Sequence, residues 1–209
     1  MLMNFLEEKI LLDGAIKQGN ILKIDSFLNH QIDIDIIRQI AYELKRRFKG
    51  VEVTKVLTIE ASGIAIATML GNLYDVPVVF AKKSETAANS TDDKYVSQAY
   101  SFTHKKMNSV FVSRPYLQAS DRVLIVDDFL ADGQAALALM DLVHQAGGKV
   151  SGVGIAVEKG QQKGGKMLRE MGCKLESIAI VEEMDWEKQT IRFREQPKRK
   201  LGKTNLKKK

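Results

Sequence analysis

The sequence predicts an α/β fold in which a mostly parallel sheet is flanked by helices. Two observations lead there. Segments with apolar residues at helical spacing alternate with short runs rich in β-branched residues, the pattern that βα units leave in a sequence. Several of those runs, such as RVLIVD at 122–127 and KVSGVGIAVEK at 149–159, are apolar at most positions, as strands covered on both faces are.

Residues 2–13 set Leu2, Phe5, Leu6 and Ile10 at helical spacing and stop before Gly14. Residues 34–49 repeat the pattern with Ile36, Ile37, Ile40, Leu44 and Phe48, ending at Gly50. VTKVLTI (53–59) reads as a strand, EASG as a turn, and 64–73 as an apolar helix; VPVVFA (76–81) is a second strand. Residues 82–108 are polar and rich in Ser, Thr and Asn, which predicts a functional loop or a mobile arm before VFVS (110–113) returns as a strand. After the strand at 122–127, a helix over 134–145 is stopped by Gly147 and Gly148. The strand at 149–159, a short helix around 163–171 and late strands at 174–181 and 189–194 complete the order. Gly152 and Gly154, inside a strand pattern, predict a close neighbour.

At 209 residues, 44% hydrophobic and 28% charged, the chain is large enough for one well-filled domain and unlike disordered, collagen-like or coiled-coil sequences. No stretch approaches the ~20 apolar residues of a bilayer span, so no membrane association is expected. Glu7 and Glu8 interrupt the first apolar run, which makes a poor secretory signal. The single Cys173 has no partner within the chain, pointing to a reducing, cytoplasmic setting. The net charge of +6 is concentrated at one end. Residues 196–209 hold six lysines and one arginine with no acid, leaving −1 over residues 1–195. The expectation is a single domain over 1–195 and a basic, disordered tail over 196–209. A near-neutral body gives no nucleic-acid footprint, beyond weak, salt-sensitive attraction through the tail.

The stretch VLIVDDFLADGQAA (123–136) carries the most chemistry. A buried strand delivers Asp127 and Asp128 to its carboxyl end, where open α/β sheets bind ligands. The loop after it and the following helix N-terminus form an anion site suited to a phosphate. Carboxylates beside a phosphate cradle suit a sugar phosphate, because they accept hydrogen bonds from vicinal hydroxyls. Neither a Walker A loop nor a dinucleotide fingerprint is present. His30, His104, His144 and Cys173 lack metal-ligand spacing, so no protein-held metal is predicted.

This stretch resembles the phosphoribosyl-pyrophosphate (PRPP) motif of the type I phosphoribosyltransferases. The segments ILKIDSFLNHQID (21–33), IEASGIA (59–65), VVFAKK (78–83), AYSFT (99–103) and IAVEK (155–159) extend the similarity to the xanthine subgroup of the purine enzymes. The resemblance implies a type I phosphoribosyltransferase fold with a small hood, from about 1–50 together with the late strands 174–194. It implies transfer of the phosphoribosyl group of PRPP to xanthine, giving xanthosine 5′-monophosphate (XMP) and pyrophosphate in purine salvage, by a cytoplasmic homodimer using Mg²⁺. Asp127 and Asp128 would hold the ribose hydroxyls, and Ala131, Asp132, Gly133, Gln134 and Ala135 the 5′-phosphate. Ala61, Ser62 and Gly63 would receive pyrophosphate, unless Ser62 simply caps a helix. Leu22, Asn29 and Lys159 would contact xanthine, and Phe129 is either a neighbour of the base or a core residue. Tyr95, Tyr100 and Ser101, in a closing loop over 84–103, and Lys82 and Lys83 are further pyrophosphate candidates.

Two departures from the family pattern stand out. Ala131 replaces an acid that hypoxanthine–guanine relatives place near the purine. Asp132 stands where Asn, Thr or Ser is usual, so its carboxylate is expected either to point away or to weaken PRPP binding. A guanine or hypoxanthine transferase and a PRPP-sensing transcription regulator of the same fold are the alternatives the motif leaves open.

Overall fold

A computed structural model describes residues 3–84, 93–101 and 106–197. In chain order the elements are α1 (Phe5–Asp13), β1 (Ala15–Lys17), β2 (Ile21–Lys23), α2 (Ile34–Arg47), β3 (Lys55–Ile59), α3 (Gly63–Tyr74), β4 (Val78–Ser84), β5 (Lys94–Ser101), β6 (Lys106–Ser113), β7 (Arg122–Leu130), α4 (Gln134–Gln145), β8 (Lys149–Lys159), α5 (Lys163–Glu170), β9 (Leu175–Asp185) and β10 (Thr190–Phe193). A π-helical turn (Asp25–Asn29) precedes α2.

The main sheet has the order β10-β9-β8-β7-β3-β4-β6-β5. Its five central strands, β9, β8, β7, β3 and β4, are parallel. The edges are antiparallel, with β10 on β9 at one side and the β6–β5 pair on β4 at the other. Alternation along β7 explains the two layers of helices. Val123 and Ile125 join a buried cluster with Leu139 and Val143 of α4. Leu124 and Val126 face the opposite way, into a cluster with Ile40 and Leu44 of α2 and Ile66 and Leu70 of α3. The two strand glycines act as expected. A β-carbon on Gly152 would lie 2.4 Å from Phe48 Cε1, and one on Gly154 3.2 Å from Leu44 Cδ2, so α2 rests close on β8.

Apart from the main sheet, β1 and β2 pair as an antiparallel hairpin. Short as they are, these strands give no readable periodicity. The β9–β10 turn reaches them, with Trp186 N–H donating to Asn20 Oδ1 at 3.0 Å. Asn4 holds α1 at both levels: its side-chain oxygen caps Leu6 N–H at 3.0 Å and its amide donates to Ile178 of β9 at 2.9 Å. Leu22 of the hairpin and Phe27 and Leu28 of the π-turn share one buried cluster with Ile40 and Leu44 of α2.

The polar stretch after β4 needs correcting. Residues 94–101 and 106–113 are strands paired in register from Lys94↔Ser113 to Ser101↔Lys106. Tyr95 and Ala99 pack against the apolar cluster beside α4, so alternation hidden among polar neighbours makes a strand of what reads as loop. Residues 85–92 and 102–105 of that stretch lie outside the described residues, as do 198–209 of the basic tail. The tail's first residue is anchored: Gln196 accepts from Arg47 at 3.0 Å and donates to Ile178 O at 2.7 Å.

Candidate active site

The carboxyl ends of β3, β7 and β8, adjacent in the sheet, bring most of the predicted residues together. β7 runs through Asp127 and Asp128 to Leu130, so both acids stand on rigid strand rather than on loop. Asp127 Oδ1 accepts the Asp128 N–H at 3.0 Å. Burial first, then the neighbouring Asp128, pushes the Asp127 carboxyl well above the ordinary aspartate range, and the Lys83 ammonium opposes that rise. Asp128 is buried.

Gly63 opens α3 directly beside Asp127. A β-carbon there would lie 2.8 Å from Asp127 Oδ1 and 2.1 Å from Thr58 Oγ1. The Thr58 hydroxyl is buried and has no hydrogen-bond partner among the described residues, a feature the sequence reading missed because Thr is ordinary in a strand. Ser62 precedes α3 but makes no capping hydrogen bond, so the plain capping role is absent. Ala61 is exposed and Ser62 half-buried, which leaves this helix start accessible to an anion. The turn is tied to β4: Glu60 N–H donates to Ala81 O at 3.1 Å, and Lys83 N–H to Glu60 Oε1 at 2.6 Å.

After β7, residues 131–133 turn into α4. Gly133 takes φ +90° at the N-cap, a left-handed conformation that favours glycine. Its side-chain-free N-cap leaves the helix start without the usual cap, but Asp132 Oδ1 accepts Gln134 N–H at 3.1 Å. The Asp132 carboxylate thus turns into the cradle, not away from it. Ala131, Gln134 and Ala135 are half-buried along the same rim.

Lys159 ends β8. Its ammonium lies 5.4 Å from the centre of the Phe129 ring, a cation–π distance. Burial lowers its pKa, while Asp128 and then Asp132 raise it, so one lysine stands in the field of both carboxylates. Phe129 is half-buried and packs against the cluster that also contains Leu22. Leu22 itself is buried in β2, and Asn29 is exposed at the end of the π-turn. Among the described residues, the Asn29 side chain makes no hydrogen bond to the strand-end residues.

Tyr95 is engaged elsewhere, its ring 4.8 Å from the Arg114 guanidinium and packed on the α4-side cluster. The side chains of Tyr100 and Ser101 lie outside the described residues. Lys82 is exposed at the end of β4, beside Lys83. Among the described residues, no three acidic, histidine or cysteine side chains gather as a metal site. Asp127 and Asp128 supply hard oxygen donors only, which fits a Mg²⁺ that takes most of its ligands from phosphates and water.

Two further features escaped the sequence reading. Gly164 N–H, at the start of α5, donates to Ala131 O at 3.1 Å. Glu158, next to Lys159, is a buried carboxylate held by Arg169 of α5 at 2.8 and 2.7 Å. A paired glycine opening a helix and an acid inside an apolar strand were the available signals.

The phosphoribosyl transferase domain family matches residues 23–197. Two similar proteins are named xanthine phosphoribosyltransferase. One, from Lachnoclostridium phytofermentans, is 52% identical over 92% of this chain and 98% of its own length. The other, from Clostridioides difficile, is 51% identical over 92% of this chain and all of its own. Among solved structures, adenine phosphoribosyltransferase from Rhodothermus marinus superposes with a TM-score of 0.68 at 24% identity, covering 84% of this chain and 98% of that one. The enzyme from Giardia lamblia, complexed with 9-deazaadenine, gives 0.69 at 22% identity over 88% and 99%. These structures share the fold. With a sheet whose β3, β7 and β8 ends gather the motif residues, a family match over most of its length and relatives about half identical, the chain belongs to the phosphoribosyl transferase domain family.

Proposed function

We propose that this protein transfers the phosphoribosyl group of PRPP to xanthine, releasing pyrophosphate and forming XMP. The observation that carries this reading is the placing of Lys159 beside Phe129 and within the field of Asp128 and Asp132. A cation at the purine end and a phosphate cradle at the other span one nucleotide. The names of the half-identical relatives point to the same base.

In this reading the 131–135 main chain and the α4 N-terminus hold the 5′-phosphate. Asp127 and Asp128 accept the ribose hydroxyls, so C1′ is fixed opposite the α3 start, where pyrophosphate leaves. Mg²⁺, held mainly by PRPP and water beside Asp127 and Asp128, would neutralise charge on the leaving pyrophosphate. Lys83 adds a cation near Asp127. A purine nitrogen, N9 in the family's chemistry, forms the new bond to C1′ as the bond from C1′ to pyrophosphate oxygen breaks. That nitrogen's proton passes to water, since Ala131 provides no carboxylate. Lys159 faces an oxo group of xanthine and disfavours adenine, whose exocyclic amine offers only donors there. Leu22 and Asn29 close the base side from the hood. Positioning and electrostatics supply the rate. A cytoplasmic homodimer belongs to the same proposal.

The test is pyrophosphate release with PRPP and Mg²⁺, with xanthine, guanine, hypoxanthine and adenine offered separately. Xanthine turned over well above the others is the expected result. Preference for guanine or hypoxanthine would keep the transferase and overturn the base assignment. PRPP binding without turnover of any base would point instead to a regulator.

A further inference from the structure

The buried Glu158 carboxylate touches no substrate position, yet it is among the most completely partnered groups in the fold. It accepts two hydrogen bonds from the Arg169 fork, at 2.8 and 2.7 Å, and a third from the Ser177 hydroxyl of β9. Two glycines make this possible. A β-carbon on Gly165 would fall 2.0 Å from Glu158 Oε1, so only glycine leaves room for the acid. One residue earlier, a β-carbon on Gly164 would lie 2.5 Å from Ala131 O and 2.6 Å from Gly133 N. Helix α5 therefore lays its bare backbone against the 131–133 main chain at one point and grips β8, one residue before Lys159, at another. Met167 reinforces the first contact, its methyl 2.7 Å from where a β-carbon on Gly133 would be.

A buried carboxylate paired with an exposed guanidinium is weak ground for stability, because desolvating Glu158 offsets much of the attraction. Its geometry is the better guide to its use. We propose that Glu158 and Arg169 are positioning residues: through α5 they hold the 131–133 main chain in its phosphate-binding shape and set Lys159 relative to it. This rests on the proposed transferase reading. The pair fixes the distance between the phosphate cradle and the purine lysine, a span that a nucleotide must match.

The experiment compares Arg169→Met, Arg169→Lys and Lys55→Met in the full chain. Lys55 makes a similar half-buried pair with Asp121, at 2.7 Å, but at the opposite end of the strands. For each variant the melting temperature, the KM for PRPP, the kcat and the calorimetric affinity for ribose 5-phosphate are measured. Arg169→Met is expected to raise the PRPP KM and weaken ribose 5-phosphate by about tenfold, with kcat at saturation within about threefold. Arg169→Lys should recover part of that loss. Lys55→Met should change the KM less than about twofold despite a comparable drop in melting temperature. Equal KM effects from Arg169→Met and Lys55→Met would overturn the proposal and leave a purely structural pair. If Arg169→Met does not fold, Glu158→Gln, which keeps hydrogen-bonding atoms, takes its place against the same control. Failure of the unmodified chain to turn over any of the four purine bases would sink the transferase reading alone, since ribose 5-phosphate affinity still decides the positioning role.

Discussion

The Asp132 carboxylate accepts the N–H of Gln134 at 3.1 Å, using a donor at the start of α4. A second anion, the 5′-phosphate, would have to share that helix end with it. Two negative charges about 6 Å apart repel by roughly 3 kcal/mol at an effective dielectric near 20, less any screening by salt and by Lys159. Asp132→Asn keeps the acceptor oxygen and removes the charge. Its PRPP KM is expected to fall about five- to tenfold, equivalent to about 1–1.4 kcal/mol, with the melting temperature little changed. An unchanged KM in steady-state kinetics would dismiss the repulsion.

Asp127 makes a prediction with a definite sign. Its folded pKa is raised above the unfolded value by burial and by Asp128. Between those two values the folded chain holds a proton that the unfolded chain has lost, so stability falls as pH rises through the window and stays lower above it. Asp127→Asn removes that penalty while preserving the acceptor for Asp128 N–H. The variant should melt roughly 2–4 °C higher than the parent at pH 8, the response to about 1 kcal/mol in a chain of this size, and show little gain near pH 4. Its kcat/KM for PRPP should drop about a hundredfold, because an amide cannot serve both hydroxyls as a carboxylate does. Thermal melts at the two pH values check the sign: a gain confined to low pH would contradict it.

Lys159 is costly to bury and is expected to be held for chemistry rather than stability. Lys159→Met should lower kcat/KM for xanthine about 10–100-fold, the loss of one charge-assisted hydrogen bond worth about 1.5–3 kcal/mol. Its melting temperature should stay level or rise. Competition between xanthine and adenine in one reaction gives the selectivity, and an unaltered ratio would remove Lys159 from base recognition.

Gly63 leaves no room for a methyl group between Thr58 Oγ1 and Asp127 Oδ1. Thr58 is fully buried and β-branched, so it has little freedom to yield. Gly63→Ala should cost about 1–3 kcal/mol, seen as a melting temperature about 2–10 °C lower, and should raise the PRPP KM by displacing Asp127. A melt and a KM indistinguishable from the parent would mean that the strand end relaxes freely.

Much of this architecture was legible because its signals are local. Asp127 and Asp128 announce themselves at the end of an apolar run, and the 134–145 helix is bounded by glycines on both sides. Lys159 ends β8, as the apolar run at 149–159 predicts. What escaped notice depends on long-range contact. Glu158 and Arg169 are eleven residues apart and belong to different elements, and nothing in their spacing signals a fork. Strand β5 is hidden because its faces are mixed: Val96 alternates with Lys94 and Gln98, and Ser97 sits between Tyr95 and Ala99, which pack inward. Asp132 departs from the family pattern in sequence, but its hold on the Gln134 amide depends on the turn at Gly133.

The central claim is that one cleft reads a nucleotide from both ends, the phosphate at 131–135 and an oxidised purine at Lys159. Calorimetric binding of XMP and of AMP to the unmodified chain tests it most directly, because the two products share the ribose phosphate and differ at the base. XMP is expected to bind at least about tenfold more tightly than AMP, a difference of about 1.4 kcal/mol. Equal affinities, or a preference for AMP, would contradict it.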